Sequence, residues 1–123
     1  MGVDVGLIER WRALNREHSR VLAALDRALE RAHNVSACEL DVLQRLAAQH
    51  DGSLRMQDLC ERVQRSQSTL SRMVGRLESQ GLVTRSVSPD DRRGVTTSLT
   101  AAGRARIRAA EVTQQRVLAE TLT

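Results

Sequence analysis

RSQSTLSRMVGRLESQGLVTRSVSPDDRRGVTTSLT, residues 65–100, sets a polar-faced helix, a glycine stop and an arginine-tipped hairpin in direct succession. Leu70, Met73, Val74 and Leu77 recur at i, i+3, i+4 and i+7, so one stripe of this helix is apolar and turns inward. The opposite face carries Gln67, Ser68, Thr69, Ser71, Arg72, Gly75, Arg76 and Ser79, with no carboxylate before Glu78. Short hydrogen-bonding side chains and arginines suit a groove floored by base edges and walled by phosphates. The stretch reads as a device for holding nucleic acid.

Upstream, only Gln64, Arg65 and Ser66 separate this helix from another at about Met56 to Val63, with Met56, Leu59, Cys60 and Val63 inward. That separation is the length helix-turn-helix units use, and Ser66 is placed as the N-cap. Downstream, Gly81 stops the helix in a left-handed conformation and Leu82 folds back on the apolar face. Val83 to Val87 and Val95 to Leu99 read as short strands joined by the turn-forming Ser88 to Gly94, a wing with a charged tip.

Farther out, Ser36 and Glu39 have the spacing of a capping box, opening a helix expected to run to about His50 with Val42, Leu43, Leu46 and Ala47 buried. Asp51-Gly52 is a turn, and Ser53 to Arg55 is a very short strand. From about Asp4 to Ala32, Leu7, Leu14, Val21 and Ala28 share one heptad position and Trp11, His18, Leu25 and Ala32 another. This two-position seam is narrower than a core helix needs, which implies a contact between subunits. Thr100 caps a last helix, Ala101 to about Leu122, with a thin stripe of Ile107, Ala110, Gln114, Val117 and Leu118. The expected class is mainly α with a small β-hairpin wing, a winged helix-turn-helix. Residues 1–33 form an N-terminal dimerisation helix, 34–100 the DNA-binding domain, and 101–123 a C-terminal dimerisation helix.

Composition narrows the partner. The net charge is +4, and between Arg62 and Arg93 seven arginines face three acids, so this window holds the whole excess. All 19 basic residues are arginine, which reflects coding bias more than function. With no Phe, no Tyr and a single Trp11, stacking of splayed bases is largely ruled out, and duplex DNA becomes the expected partner. No run of about 18 apolar residues occurs and no basic segment precedes an apolar one, so no membrane is expected and a cytoplasmic location is.

The element order, together with Thr69-Leu-Ser-Arg-Met-Val-Gly-Arg-Leu-Glu-Ser-Gln-Gly-Leu-Val-Thr-Arg85, resembles the MarR family of transcriptional regulators. Asp91-Arg92-Arg93-Gly94-Val95, then Leu99-Thr100 and Gly103, is similar to that family's aspartate-x-arginine wing and the leucine-threonine and glycine after it. The resemblance implies a homodimer on pseudo-palindromic duplex DNA, often released by a small ligand or by oxidation. By position it sets Ser66, Gln67, Ser68, Thr69, Ser71, Arg72 and Arg76 against the major groove or its phosphates. Arg92 and Arg93 belong to the DNA-binding wing, with Arg93 in the minor groove and Asp91 orienting it. A narrow minor groove has an enhanced negative potential that favours arginine. Family members usually continue for another helix beyond the one starting near Thr100, whereas this sequence stops at Thr123, so either the C-terminal dimerisation region is cut short or the dimer is unusually short.

Trp11 and His18 lie on one face and read two ways: lining a pocket for an anionic aromatic effector, or fixing the register of a dimer seam. Cys38 and Cys60 sit on apolar stripes and read as buried structural thiols, because a reactive thiol needs an electropositive, accessible setting. His18, His33 and His50 lack metal-ligand spacing, and no metal or other cofactor is expected. No nucleophile motif or glycine-rich phosphate loop is present, so catalysis is not expected. The expected function is a dimeric, sequence-specific repressor. A winged-helix protein-interaction module and a non-specific architectural DNA binder remain open beside it.

Overall fold

Hydrophobic spacing and caps set the element order in the computed structural model, which describes residues 2–87 and 94–122. Five helices, α1 (Val5–His33), α2 (Ala37–Ala47), α3 (Met56–Val63), α4 (Gln67–Ser79) and α5 (Ala101–Leu122), accompany strands β1 (Ser53–Arg55), β2 (Val83–Val87) and β3 (Val95–Leu99). The strands form one antiparallel sheet in the order β1-β3-β2, with Ser53 opposite Ser98 and Val83 opposite Leu99. The fold is a winged helix.

Four of the five helices begin where a side chain takes up orphan backbone donors, and α3, which follows Arg55, begins without one. Asp4 accepts from the Leu7 amide at 3.2 Å. The capping box forms as the spacing predicts: Ser36 Oγ accepts from Glu39 N at 3.0 Å and Glu39 Oε1 from Ser36 N at 2.8 Å. Ser66 Oγ accepts from Thr69 N at 3.2 Å. Thr100 works twice, its Oγ1 accepting from Gly103 N at 3.0 Å and donating to the Gly81 carbonyl at 2.7 Å. One hydroxyl thereby ties the stop after α4 to the start of α5.

Helix ends use left-handed residues. Gly81 has φ of +75° beyond α4, Asn34 has φ of 56° closing α1, and Gln64 has φ of 55° closing α3. Helix α2 ends at Ala47 rather than near His50, because the Gln49 amide turns to the Leu46 carbonyl and starts the turn toward Gly52.

One core joins all layers. Leu40, Leu43, Leu46, Leu59, Leu70, Val74, Leu77, Leu82 and Val83 are buried with Leu25 and Leu29 of α1 and Ile107, Ala110 and Val117 of α5. The C-terminal half of α1 therefore packs into the core of its own chain, with Leu29, absent from the two-position seam, as its most buried residue. The N-terminal half is bare: Leu7, Trp11 and Leu14 are each about 60% exposed, at 63%, 61% and 59%. At Gly103, α5 comes close to Leu82 and Leu99. A Cβ there would collide with the Leu82 carbonyl oxygen and lie 2.6 Å from Leu99 Cδ1. Among the described residues, no helix is long and apolar enough to cross a membrane.

Candidate nucleic-acid interface

The outer face of α4 looks into a groove of about 1090 Å³ bounded by α3 on one side and the root of the wing on the other. Gln67, Ser68 and Ser71 line it from α4, Arg55, Gln57 and Glu61 from β1 and α3, and Arg85 and Val95 from the wing strands. Arg72 of α4 is exposed, with no ion pair among the described residues. Arg55 and Gln57 are groove residues that sequence periodicity did not single out. Their signal was positional, since they open the helix that braces α4.

The one carboxylate of α4 is already engaged. Glu78 accepts from Arg85 Nη2 at 3.0 Å, Nε at 3.3 Å and the Arg85 amide at 3.2 Å. These bonds hold the Glu78 carboxyl below its ordinary value of 4.5 and clamp the first wing strand to α4. With Glu78 engaged, Glu61 of α3 is the one carboxylate among the described residues lining the groove, against Arg55 and Arg85, so the charge there leans positive, as a polyanion partner requires.

The expected contact set divides three ways. Gln67, Ser68 and Ser71 line the groove, and Arg72 is exposed on the same helix outside that lining. Ser66 and Thr69 are drawn into the cap, with Ser66 Oγ 2.9 Å from Thr69 Oγ1, and serve the start of α4. Arg76 is the correction: it does not join Arg72 on the outer face. It donates to Glu30 Oε2 at 3.0 Å and Asn34 Oδ1 at 3.0 Å, and it pairs with Glu39 of the α2 capping box. The Glu30 hydrogen bond leads the effects that raise its pKa, so it stays charged. Four residues on from Arg72 the helix has turned by about 40°, enough to carry Arg76 from the crest to the flank facing α1 and α2. Asp91, Arg92 and Arg93, the expected wing contacts, lie outside the described residues.

Trp11 and His18 do not share a pocket. His18 lines a cavity of about 160 Å³ with Leu22, Cys38, Asp41, Arg65 and Met73, whereas Trp11 stands clear of it. Neither cysteine is fully buried, contrary to the stripe reading. Cys38 Sγ accepts from Arg65 Nη2 at 3.0 Å, a bond that raises the Arg65 pKa, and Cys60 lines the groove. Each occupies the flank of its helix rather than the centre of the apolar stripe. His33 Nε2 lies 2.7 Å from Thr113 Oγ1, joining α1 to α5.

Comparison with known proteins gives this geometry its relatives. A family model described as MarR family matches residues 35–95, from the break before α2 to the return strand of the wing. No curated protein sequence matches. Among solved structures, the chain is similar to Sco3205, a MarR family transcriptional regulator from Streptomyces coelicolor solved in complex with DNA. The two are 26% identical with a TM-score of 0.90, over 98% of this chain and 76% of that one. BldR, a transcriptional regulator from Sulfolobus solfataricus, shares the fold at 22% identity and a TM-score of 0.86, over 99% and 86% of the two chains. BpsR of Bordetella bronchiseptica, whose DNA binding is regulated by 6-hydroxynicotinic acid, shares it at 24% identity and 0.82, over 92% and 83%. A capped helix-turn-helix between a long N-terminal helix and a returning wing, matched by the family model over that unit, is the organisation of these regulators, and the chain belongs to the MarR family.

Proposed function

We propose that the chain is a cytoplasmic, sequence-specific repressor that acts as a homodimer on pseudo-palindromic duplex DNA. The observation that carries this reading is the groove in which Gln67, Ser68 and Ser71 of α4 meet Arg55 and Arg85 against a single carboxylate, Glu61, with Arg72 exposed on the same helix. Amide and hydroxyl groups there reach base edges, and the arginines meet phosphates or guanine. Arg92 and Arg93 extend the contact along the wing, Arg93 entering the minor groove with Asp91 orienting it. The exposed Leu7, Trp11 and Leu14 of α1 form the subunit contact. Two α4 helices then sit about 34 Å apart, one turn of DNA.

A small anionic aromatic relieves repression in this reading, as 6-hydroxynicotinic acid regulates BpsR. The cavity beside His18, about 160 Å³, is below the roughly 300–1,000 Å³ of ordinary ligand sites, so in this reading it holds the effector only if the second subunit adds to it.

The test is selection of duplexes from random sequence, followed by titration against non-specific competitor. An inverted repeat bound about 10³-fold or more above competitor is the expected result. Equal binding of all duplexes would make the protein an architectural binder. Binding of none by a folded dimer would turn the groove over to an acidic protein partner.

A further inference from the structure

The residue that leaves the DNA face sits at the crossing of three helices. Arg76 of α4 is held by Glu30 and Asn34 at the end of α1 and by Glu39 at the start of α2. One turn later, Gln80 Nε2 donates to the Asn34 carbonyl at 3.1 Å, and Arg106 of α5 reaches Gln80 Oε1 at 2.9 Å and the His33 carbonyl at 2.6 Å. The C-terminal end of α4 is thus fastened by polar bonds to both long helices, around a left-handed residue, Asn34, that fixes where α1 stops.

We infer that Arg76 is a positioning residue for DNA binding, a strut that sets the pose of α4 relative to α1 and so the separation of half-sites the protein accepts. The inference rests on the dimeric DNA-binding function proposed above, because α1 carries the subunit contact and α4 enters the groove. A planar guanidinium bonded to two carboxylates and an amide resists both sliding and rotation. A lysine ammonium, a single point charge, cannot hold all three partners in the same geometry. Glu39 is buried, and its bonds to both Ser36 N and Arg76 make the α2 cap part of the strut. Glu30 lies on α1, outside the groove, so its substitution changes the strut without changing any group that faces DNA.

Three variants, Glu30→Gln, Arg76→Gln and Arg76→Lys, are titrated by fluorescence anisotropy on the selected operator and on versions with the spacer one base pair longer or shorter. For all three, the preference for native spacing over the altered spacers should fall about three- to tenfold, the scale of coupling between groups in contact. Base preference within each half-site and the salt slope should stay as in the wild type. If Arg76 instead touches a phosphate, Arg76→Gln lowers the salt slope by about 0.9, Arg76→Lys retains affinity and Glu30→Gln is silent, which overturns the strut. Uniform weakening at every spacing overturns it too, since that is loss of fold rather than of pose.

A readout without DNA separates this inference from the function it rests on. Amide exchange of residues 76–82 and 30–35 in Glu30→Gln should quicken about threefold or more, with Leu40–Leu46 unchanged. Unchanged exchange there overturns the strut even if the operator is found. Failure of the wild type to prefer any duplex, with exchange altered as expected, overturns the proposed function alone.

Discussion

Arg72 and Arg76 are two arginines one helical turn apart on α4, and packing gives them different work. Arg72 is exposed, so Arg72→Ala should relax preference at one base pair by about 1–3 kcal/mol if it reads a base. Site selection on the mutant measures this, and equal weakening of all sequences would assign Arg72 to a phosphate. Glu78 makes a different prediction. Its carboxyl is held low by Arg85, so the clasp stabilises the fold above the ordinary carboxylate range and is lost as pH falls through the depressed folded value. Denaturant unfolding of Glu78→Gln should show reduced stability at neutral pH, with the gap to wild type closing in acid. A gap that persists unchanged in acid would deny the ion pair that role. At Gly103 the obstacle is backbone: a methyl group meets the Leu82 carbonyl, which cannot rotate away as a side chain can. Gly103→Ala should cost about 1–3 kcal/mol, read as a fall in the thermal midpoint.

At the scale of elements, the caps are where sequence spoke most plainly. Ser36, Ser66 and Thr100 each cap the helix their spacing indicates, because capping depends on residues within one turn of each other. Ser36→Ala should lose about 1 kcal/mol, with helix content by circular dichroism otherwise retained. The apolar stripe of α4 and the strand pair were equally legible, being local periodicities. What sequence did not reveal depends on neighbours distant in the chain. Arg76 looks free on a helical wheel, yet Glu30, 46 residues away, draws it to the half-exposed flank beside α1. Arg55 and Gln57 carry no periodic signal and become groove residues only when β1 and α3 fold beside α4. Half-burial of Cys38 and Cys60 likewise follows from which flank of each helix meets a neighbour, a matter of packing angle rather than spacing. The α1 seam was read as one feature, whereas its C-terminal half belongs to the core.

For the whole molecule, that division of α1 separates folding from association. Leu25 and Leu29 anchor the helix in the core, and Leu7, Trp11 and Leu14 stay exposed, where the proposed homodimer has its subunit contact. Trp11→Glu with Leu14→Glu should therefore shift sedimentation from dimer to monomer while the core-based unfolding transition remains. A double mutant that still sediments as a dimer would move the subunit contact elsewhere. The sheet carries a consequence of another kind. Its central strand, β3, arrives late in the chain and pairs with β1 across 45 residues, Ser53 with Ser98, and with its hairpin neighbour β2. Helices can close within microseconds from contacts a few residues apart, but β1 has no strand to join until the chain has looped back over α3 and α4. Refolding speed is thus governed by a loop closure that no helix propensity can hasten, and a chain still emerging from the ribosome holds β1 unpaired until β3 has been synthesised.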